Sequence, residues 1–363
     1  MRELVAAAWL CWSASGCSPR PPAAPSSEPA LRRGINLGNA LDAPVEGAWG
    51  VTLDEAHFQL AATLGFDHVR LPVSFAAHAA RDGGHALDEA LLRRVDWALD
   101  RAHAHGLGVV LDWHHDDALI RDPDANEARF LSGWEQLARR YAARPDSVRF
   151  ELLNEPRERL TASRWNALAA RAVTVVRAAD PDRTIVVDAG DWASARALAE
   201  LELPRGARRV VASFHMYSPL LFTHQGARWL GPEYDVRGVV FPGPPSRAAT
   251  RASVSLPWIE EWLRRHDTEP AATNPSSQSA IDEELDRAAE FASRTGATVY
   301  MGEFGAIDAA DPASRERWLV AVREGAERRG FAWAYWDNGG EFALLRPRER
   351  GWVEGVRRAV APR

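Results

Sequence analysis

The sequence predicts a single (β/α)₈ barrel, and three observations lead there. Eight short apolar runs punctuate the chain from Leu31 onward. Segments of helical period lie between them. No internal repeat longer than this alternation and no second domain is visible, although 363 residues could by length alone hold two. Buried runs alternating with amphipathic helices argue for a parallel sheet, and eight such units closed on themselves make a barrel.

The runs are Gly34–Leu37, His68–Val73, Leu107–Trp113, Val148–Leu153, Thr184–Asp188, Val210–Phe214, Thr298–Met301 and Phe331–Trp336. Between them, Leu87, Leu91, Val95, Leu99 and Ala102 form one apolar stripe, and Trp165, Leu168, Ala172, Val175 and Ala179 form another. Thr52-Leu53-Asp54-Glu55 reads as a capping box. Asp311-Pro312 reads as an N-cap followed by proline at the first helical position. The exception to the alternation is an insertion at about 231–279, rich in proline, with one helix expected around Trp258–Arg265. Segments of this length are usually functional.

The first 17 residues read as an export signal: Arg2, the apolar run Leu4 to Leu10, then small residues before Cys17. Ala14-Ser15-Gly16-Cys17 resembles a bacterial lipoprotein box, so the chain is expected to leave a bacterial cell, secreted or lipid-anchored through Cys17. The apolar run is shorter than the about 20 residues of a spanning helix, so no transmembrane span is expected. Residues 18–30, rich in Pro, Ser and Ala, read as a linker, which leaves 31–363 as the catalytic barrel. Cys11 and Cys17 are the only cysteines, so the barrel holds no disulfide framework and no cysteine nucleophile. The net charge of -6 and the lack of a basic block argue against nucleic acid, whose affinity comes largely from neutralised phosphates. A monomer is expected. Fifteen Trp against 5 Tyr and 12 Phe is an unusual ratio. Trp97, Trp113, Trp134, Trp165 and Trp318 fall within strands or helices and are expected in the core, whereas Trp49 and Trp229 fall in loops beside the mouth. Flat indoles there suit the flat faces of sugar rings.

Active sites of such barrels lie at the C-terminal ends of the strands. The polar residues at those ends are Asn36 and Asn39, Arg70, His114 and His115, Asn154 and Glu155, His215 and Tyr217, Glu303, and Trp336 with Asp337. Their clustering on one barrel end favours a site over scattered structural polarity. His114-His115, flanked by Asp112, Asp116 and Asp117, has a metal-like composition. A metal-dependent barrel hydrolase would bring histidines from the first strand too, and Asn36-Leu37-Gly38-Asn39 has none, so neither metal nor cofactor is expected.

These residues resemble glycoside hydrolase family 5, the cellulase and mannanase barrels. The resemblance covers about Leu31 to the end and rests on Arg70, His114, Asn154-Glu155, His215-Met216-Tyr217, Glu303 and Trp336, in order. Arg33 to Asn39, Phe222 to Trp229 and Gly302-Glu303-Phe304-Gly305 look like a bacterial endoglucanase branch. The resemblance implies retaining cleavage of β-1,4-glucan, with Glu155 as acid/base and Glu303 as nucleophile. Arg70, Asn154, His215 and Tyr217 would support the transition state, and Asn36, His114, His115, His224, Trp229, Trp336 and Asp337 would bind substrate. The chemistry asks for the same residue types: one carboxylic acid to protonate the leaving oxygen and one carboxylate to attack the anomeric carbon, about 5–5.5 Å apart. Since two carboxyls are indifferent to the C2 epimer, β-mannanase or dual glucan/mannan activity is the alternative. A non-catalytic cell-surface glycan-binding barrel is a third reading, with a β-glucan or mannan polysaccharide as partner in every case.

Overall fold

A computed structural model describes residues 31–361, apart from 81–84, 205, 207, 252, 255 and 347–350. The expected export signal at 1–17, with Cys17, and the linker at 18–30 lie outside the described residues. Eight parallel strands close into a barrel in sequence order. They are β1 (Arg33–Asn36), β2 (His68–Val73), β3 (Gly108–Trp113), β4 (Val148–Glu151), β5 (Ile185–Asp188), β6 (Val210–Met216), β7 (Thr298–Phe304) and β8 (Ala332–Tyr335). β6 and β7 run past their predicted ends, so His215 and Glu303 lie within strands.

The helices follow the sequence with two adjustments. Glu89–Ala104 buries Leu91, Val95, Leu99 and Ala102 as expected. Ala162–Ala179 buries Trp165, Leu168 and Ala172, then Val173 and Val176 rather than Val175 and Ala179, because a 3.6-residue helix drifts off an alternation of three- and four-residue steps. The first barrel helix, Glu55–Thr63, is capped by Asp54, not Thr52. Val51 and Leu53 are buried and hold the chain extended up to Asp54, whose amide donates to His57 Nδ1 (3.1 Å). Asp311 caps Pro312–Arg328 as predicted, accepting from the Ser314 amide at 2.8 Å. Trp113, Trp134, Trp165 and Trp318 are buried in the layer between sheet and helices, whereas Trp49 and Trp229 are exposed.

Inside the barrel, Val110, Val186, Val211 and Tyr300 belong to one apolar cluster. Side chains alternate along a strand, so two residues further on, the same faces carry Asp112, Asp188 and Ser213, and then His215. The apolar floor thus gives way to a charged layer beneath the mouth. β7 breaks this alternation. Its register against β6 runs Phe214↔Met301 and then His215↔Glu303, which leaves Gly302 as an extra residue. The same irregularity appears against β8 between Met301 and Phe304. A β-bulge re-aims the residues that follow it. Without it Glu303 would share the outward parity of Met301; with it, Glu303 lies opposite His215. A Cβ at Gly302 would come within 3.0 Å of Ser213 Oγ and 3.1 Å of His215 Nε2, so the bulge suits glycine.

The insertion is ordered by buried polar side chains. Gln225 accepts from the amides of Gly238 and Val239 and donates to the carbonyls of Phe222 and Val239. Asn274 donates to the His266 and Glu269 carbonyls from the far end of the helix Pro257–Thr268. No described helix is long and apolar enough to cross a membrane.

Candidate active site

Arg70, fully buried on β2, is the hub of the mouth. Its Nε and Nη2 donate to the two oxygens of Glu151, each at 2.8 Å. Nη1 donates to Glu303 Oε1 at 2.6 Å and to Asn36 Oδ1 at 2.9 Å. Nη2 also donates to Asn154 Oδ1 (2.9 Å) and lies 3.1 Å from Asp112 Oδ2. Planar guanidinium geometry suits this fork, since two parallel bonds to one carboxylate leave the remaining protons for others. Burial works against its charge, but Asp112, Glu151 and Glu303 more than offset this and raise the guanidinium pKa further.

Glu303 is held from both sides: Arg70 donates to Oε1, and the Tyr217 hydroxyl donates to Oε2 at 2.7 Å. Burial and the Glu303 charge push the Tyr217 phenol well above its usual range, so it stays a donor. Glu155, just past β4, adopts a left-handed backbone (φ 49°), and its amide donates to Asp188 Oδ2 at 3.1 Å. His215 stands between the two glutamates, with Nδ1 2.9 Å from Glu155 Oε1 and 3.6 Å from Glu303 Oε2. Its Nε2 lies 3.6 Å from Asp188 Oδ2. Burial alone would lower the His215 pKa, yet the charges of Glu303 and Asp188 and the bond to Glu155 raise it to about 9. One carboxylate oxygen of Glu155, one of Glu303 and one His215 nitrogen all lie within 4.8 Å of each other.

His114 stacks on Trp336 (centroids 5.5 Å, planes 6° apart), and its Nδ1 bonds Asp112 Oδ2 at 2.6 Å. Burial, with the charges of His115 and Arg70, holds His114 well below its usual pKa and therefore neutral. Next to it, His115 meets the edge of exposed Trp49 at 5.9 Å. Asp116 is turned to the Leu119 amide and the Trp113 indole, and Asp117 pairs with Arg157. Asp42, from the loop after β1, is the carboxylate whose oxygen comes within 4.8 Å of both histidines. Beyond Tyr217, His224 lies edge-on to it at 4.9 Å and to exposed Trp229 at 6.4 Å. Burial lowers the His224 pKa to about 4, so this imidazole too is neutral.

Two of the expected sugar contacts sit beneath the mouth and not in it. Asn36 is fully buried with both ends committed: Oδ1 accepts from Arg70, and Nδ2 donates to the carbonyls of Gly302 (3.0 Å) and Tyr335 (3.3 Å). It clamps the β7 bulge. Asp337 is fully buried and accepts from Asn39 Nδ2, while Trp336, joined to it by a cis peptide, remains partly exposed. Inward strand positions are crowded by neighbours on both sides, which is why residues at a strand end can serve packing and not substrate. Three buried carboxylates were not anticipated as parts of the site: Glu151, Asp112 as a partner of Arg70, and Asp188. A signal existed for Glu151, since a buried arginine on a barrel strand requires buried acids near it.

Fold and site together define a barrel enzyme class in which two glutamates at opposed strand ends face one cleft, the arrangement of a glycoside hydrolase. Residues 33–342 match the cellulase family, glycosyl hydrolase family 5. The chain belongs to that family. It is 28% identical to Endoglucanase H of Acetivibrio thermocellus over 330 residues, covering 90% of this chain and 32% of that one. It therefore spans about a third of that relative's length. Among solved structures, Thermotoga maritima Cel5A in complex with cellobiose is 32% identical with a TM-score of 0.79, covering 92% of this chain and 98% of that one. The same protein in complex with mannotriose gives the same identity, TM-score and coverage.

Proposed function

We propose that this chain is a retaining, endo-acting β-1,4-glucanase in which Glu303 is the nucleophile and Glu155 the acid/base. The observation that carries the reading is the approach of the two carboxylates, with oxygens within 4.8 Å. Retaining enzymes hold their carboxyls about 5–5.5 Å apart, whereas inverting ones need about 6.5–9.5 Å to admit a water between acid and sugar. Glu303 accepts from Arg70 on Oε1 and from Tyr217 on Oε2, which fixes the orientation of its carboxyl group in the cleft. In the first step a Glu303 oxygen bonds the anomeric carbon as the glycosidic bond breaks, and the Glu155 proton passes to the leaving oxygen. In the second, Glu155 takes a proton from water, the resulting hydroxide oxygen bonds the anomeric carbon, and the ester to Glu303 breaks.

Asn154 accepts from Arg70 at Oδ1, which leaves its NH₂ as a donor for the sugar 2-hydroxyl. A contact at that position strengthens in the transition state. Trp336 backs the ring that distorts. Activity on mannan is a second reading, supported by the complexes of one relative with both cellobiose and mannotriose. Export, with Cys17 as a lipid attachment point, is part of the proposal and fits a polymeric substrate that cannot enter a cell. Parallel reducing-sugar assays on carboxymethylcellulose, barley β-glucan and mannan test the substrate. Release of reducing ends from the two glucans is expected; activity confined to mannan would replace the first reading by the second, and inactivity on all three would remove both.

A further inference from the structure

Asp188 is a fully buried carboxyl at the end of β5 to which the two-glutamate reaction gives no part. Its main chain is pinned on both sides. The Asp188 carbonyl accepts from the Trp165 indole at 2.7 Å, and the next amide, of Ala189, donates to the Ser213 carbonyl on β6 at 2.9 Å. The register sets Asp188 beside Ser213, two residues before His215. From this fixed place, Oδ2 faces two neighbours: the Glu155 amide, which donates to it at 3.1 Å, and His215 Nε2 at 3.6 Å.

Both neighbours bear on the placement of one residue. Glu155 has a φ of 49°, a left-handed backbone that a non-glycine residue holds where its surroundings over-determine it. His215 Nδ1 lies 2.9 Å from Glu155 Oε1. With its pKa raised to about 9, His215 carries a proton on each nitrogen in neutral solution, so Nδ1 donates to Oε1. That leaves Oε2 of Glu155 as the oxygen to carry the proton for the leaving group. A carboxyl is costly to bury, and a valine would complete the run Ile185-Val186-Val187 as well; what the oxygen adds is an acceptor facing these two groups.

We propose that Asp188 is a positioning residue for the acid/base, one buried oxygen fixing the Glu155 main chain through its amide and the Glu155 carboxyl through His215. This rests on the reading of Glu155 as the acid/base. A proton donor held out of line costs rate according to how much protonation the leaving group needs.

The test measures kcat/KM of the full chain on two substrates. They are phenyl β-cellobioside, whose leaving group needs a proton, and 2,4-dinitrophenyl β-cellobioside, whose leaving group hardly does. Asp188→Val removes the acceptor and fills its space. It should lower the phenyl to dinitrophenyl ratio by about 10- to 100-fold, a share of the roughly 10²- to 10⁴-fold that a positioned acid contributes. Asp188→Asn keeps an oxygen in the place of Oδ2 and should restore most of the ratio. If circular dichroism shows Asp188→Val unfolded, Asp188→Ala replaces it with the same expectation. An unchanged ratio in the folded variant, or an equal fall on both substrates, would overturn the proposal. So would a ratio in Asp188→Asn as low as in Asp188→Val, since the retained oxygen would then hold nothing. Glu155→Ala, measured alongside, separates the two readings: a lowered ratio there keeps Glu155 as the acid/base whatever Asp188 does. An unchanged ratio in Glu155→Ala, or a wild-type protein inactive on both substrates, would remove that reading and this inference together.

Discussion

At the scale of single residues, the two glutamates are asked to do different things by different surroundings. Glu303 receives Arg70 and Tyr217, whereas Glu155 faces His215 and is partly open to the cleft. Glu303→Ala is therefore expected to abolish turnover, since no atom remains to bond the anomeric carbon. Glu155→Ala should slow substrates with poor leaving groups far more than activated aryl glycosides, which need little protonation. Proton NMR of the first products should show the β anomer; α products would contradict double displacement. Arg70 is a second test. Arg70→Met would leave Asp112, Glu151 and Glu303 without their shared cation, and breaking one side of a buried ion cluster costs about 3–5 kcal/mol. Urea unfolding should show a loss of that order. The double variant Arg70→Met/Glu151→Met should be less destabilised than Arg70→Met alone, because it strips both charges together. Equal losses would mean that Glu151 is a bystander.

At the scale of elements, the site depends on how strands end and how loops leave them. The bulge in β7 brings Glu303 opposite His215, and Asn36 on β1 fixes the bulge by bonding the Gly302 carbonyl. The loop leaving β6 carries His224 and Trp229 along the same rim as Tyr217, with Phe342 packed against His224 at 5.2 Å. Trp229 is 57% exposed, so little packing is lost on its removal. Trp229→Ala is expected to raise KM by roughly 2- to 12-fold through a lost stack, with kcat less affected and the thermal midpoint hardly moved. Normal KM with a lowered midpoint would show that the indole anchors the loop and not the glycan. The insertion was foreseen as an irregular segment with one helix. That helix formed at Pro257–Thr268, but the buried amides of Gln225 and Asn274 that order the rest were not legible, because a glutamine or asparagine in a loop looks the same whether solvated or buried.

Across the whole molecule, protons held at the barrel mouth couple the site to stability. The folded protein raises His215 from 6.5 to about 9, so its contribution is fully present below about 6.5 and is lost as pH rises through 9. Burial and the Glu151 charge also raise Asp188, to about 7, so the folded state holds that proton too where the unfolded chain would release it. Both shifts make stability fall with rising pH. Unfolding free energy measured between about pH 6.5 and 9 should decline, and His215→Gln should flatten that decline; an unchanged slope would place the coupled proton elsewhere. The sequence by itself determined the eight-fold alternation, the mouth at which function collects, and the set of polar residues there, because period and strand ends are local properties of a chain. Their roles were settled only by closure of the barrel. Closure commits both ends of Asn36 to Arg70 and the β7 bulge, and it turns Asp337 to Asn39. It gathers Asp112, Glu151 and Glu303 around one arginine and re-aims Glu303 by one residue. The reason is physical: hydrogen-bonding capacity is finite, and which partner takes it up depends on neighbours distant in sequence, such as the 233 positions between Arg70 and Glu303.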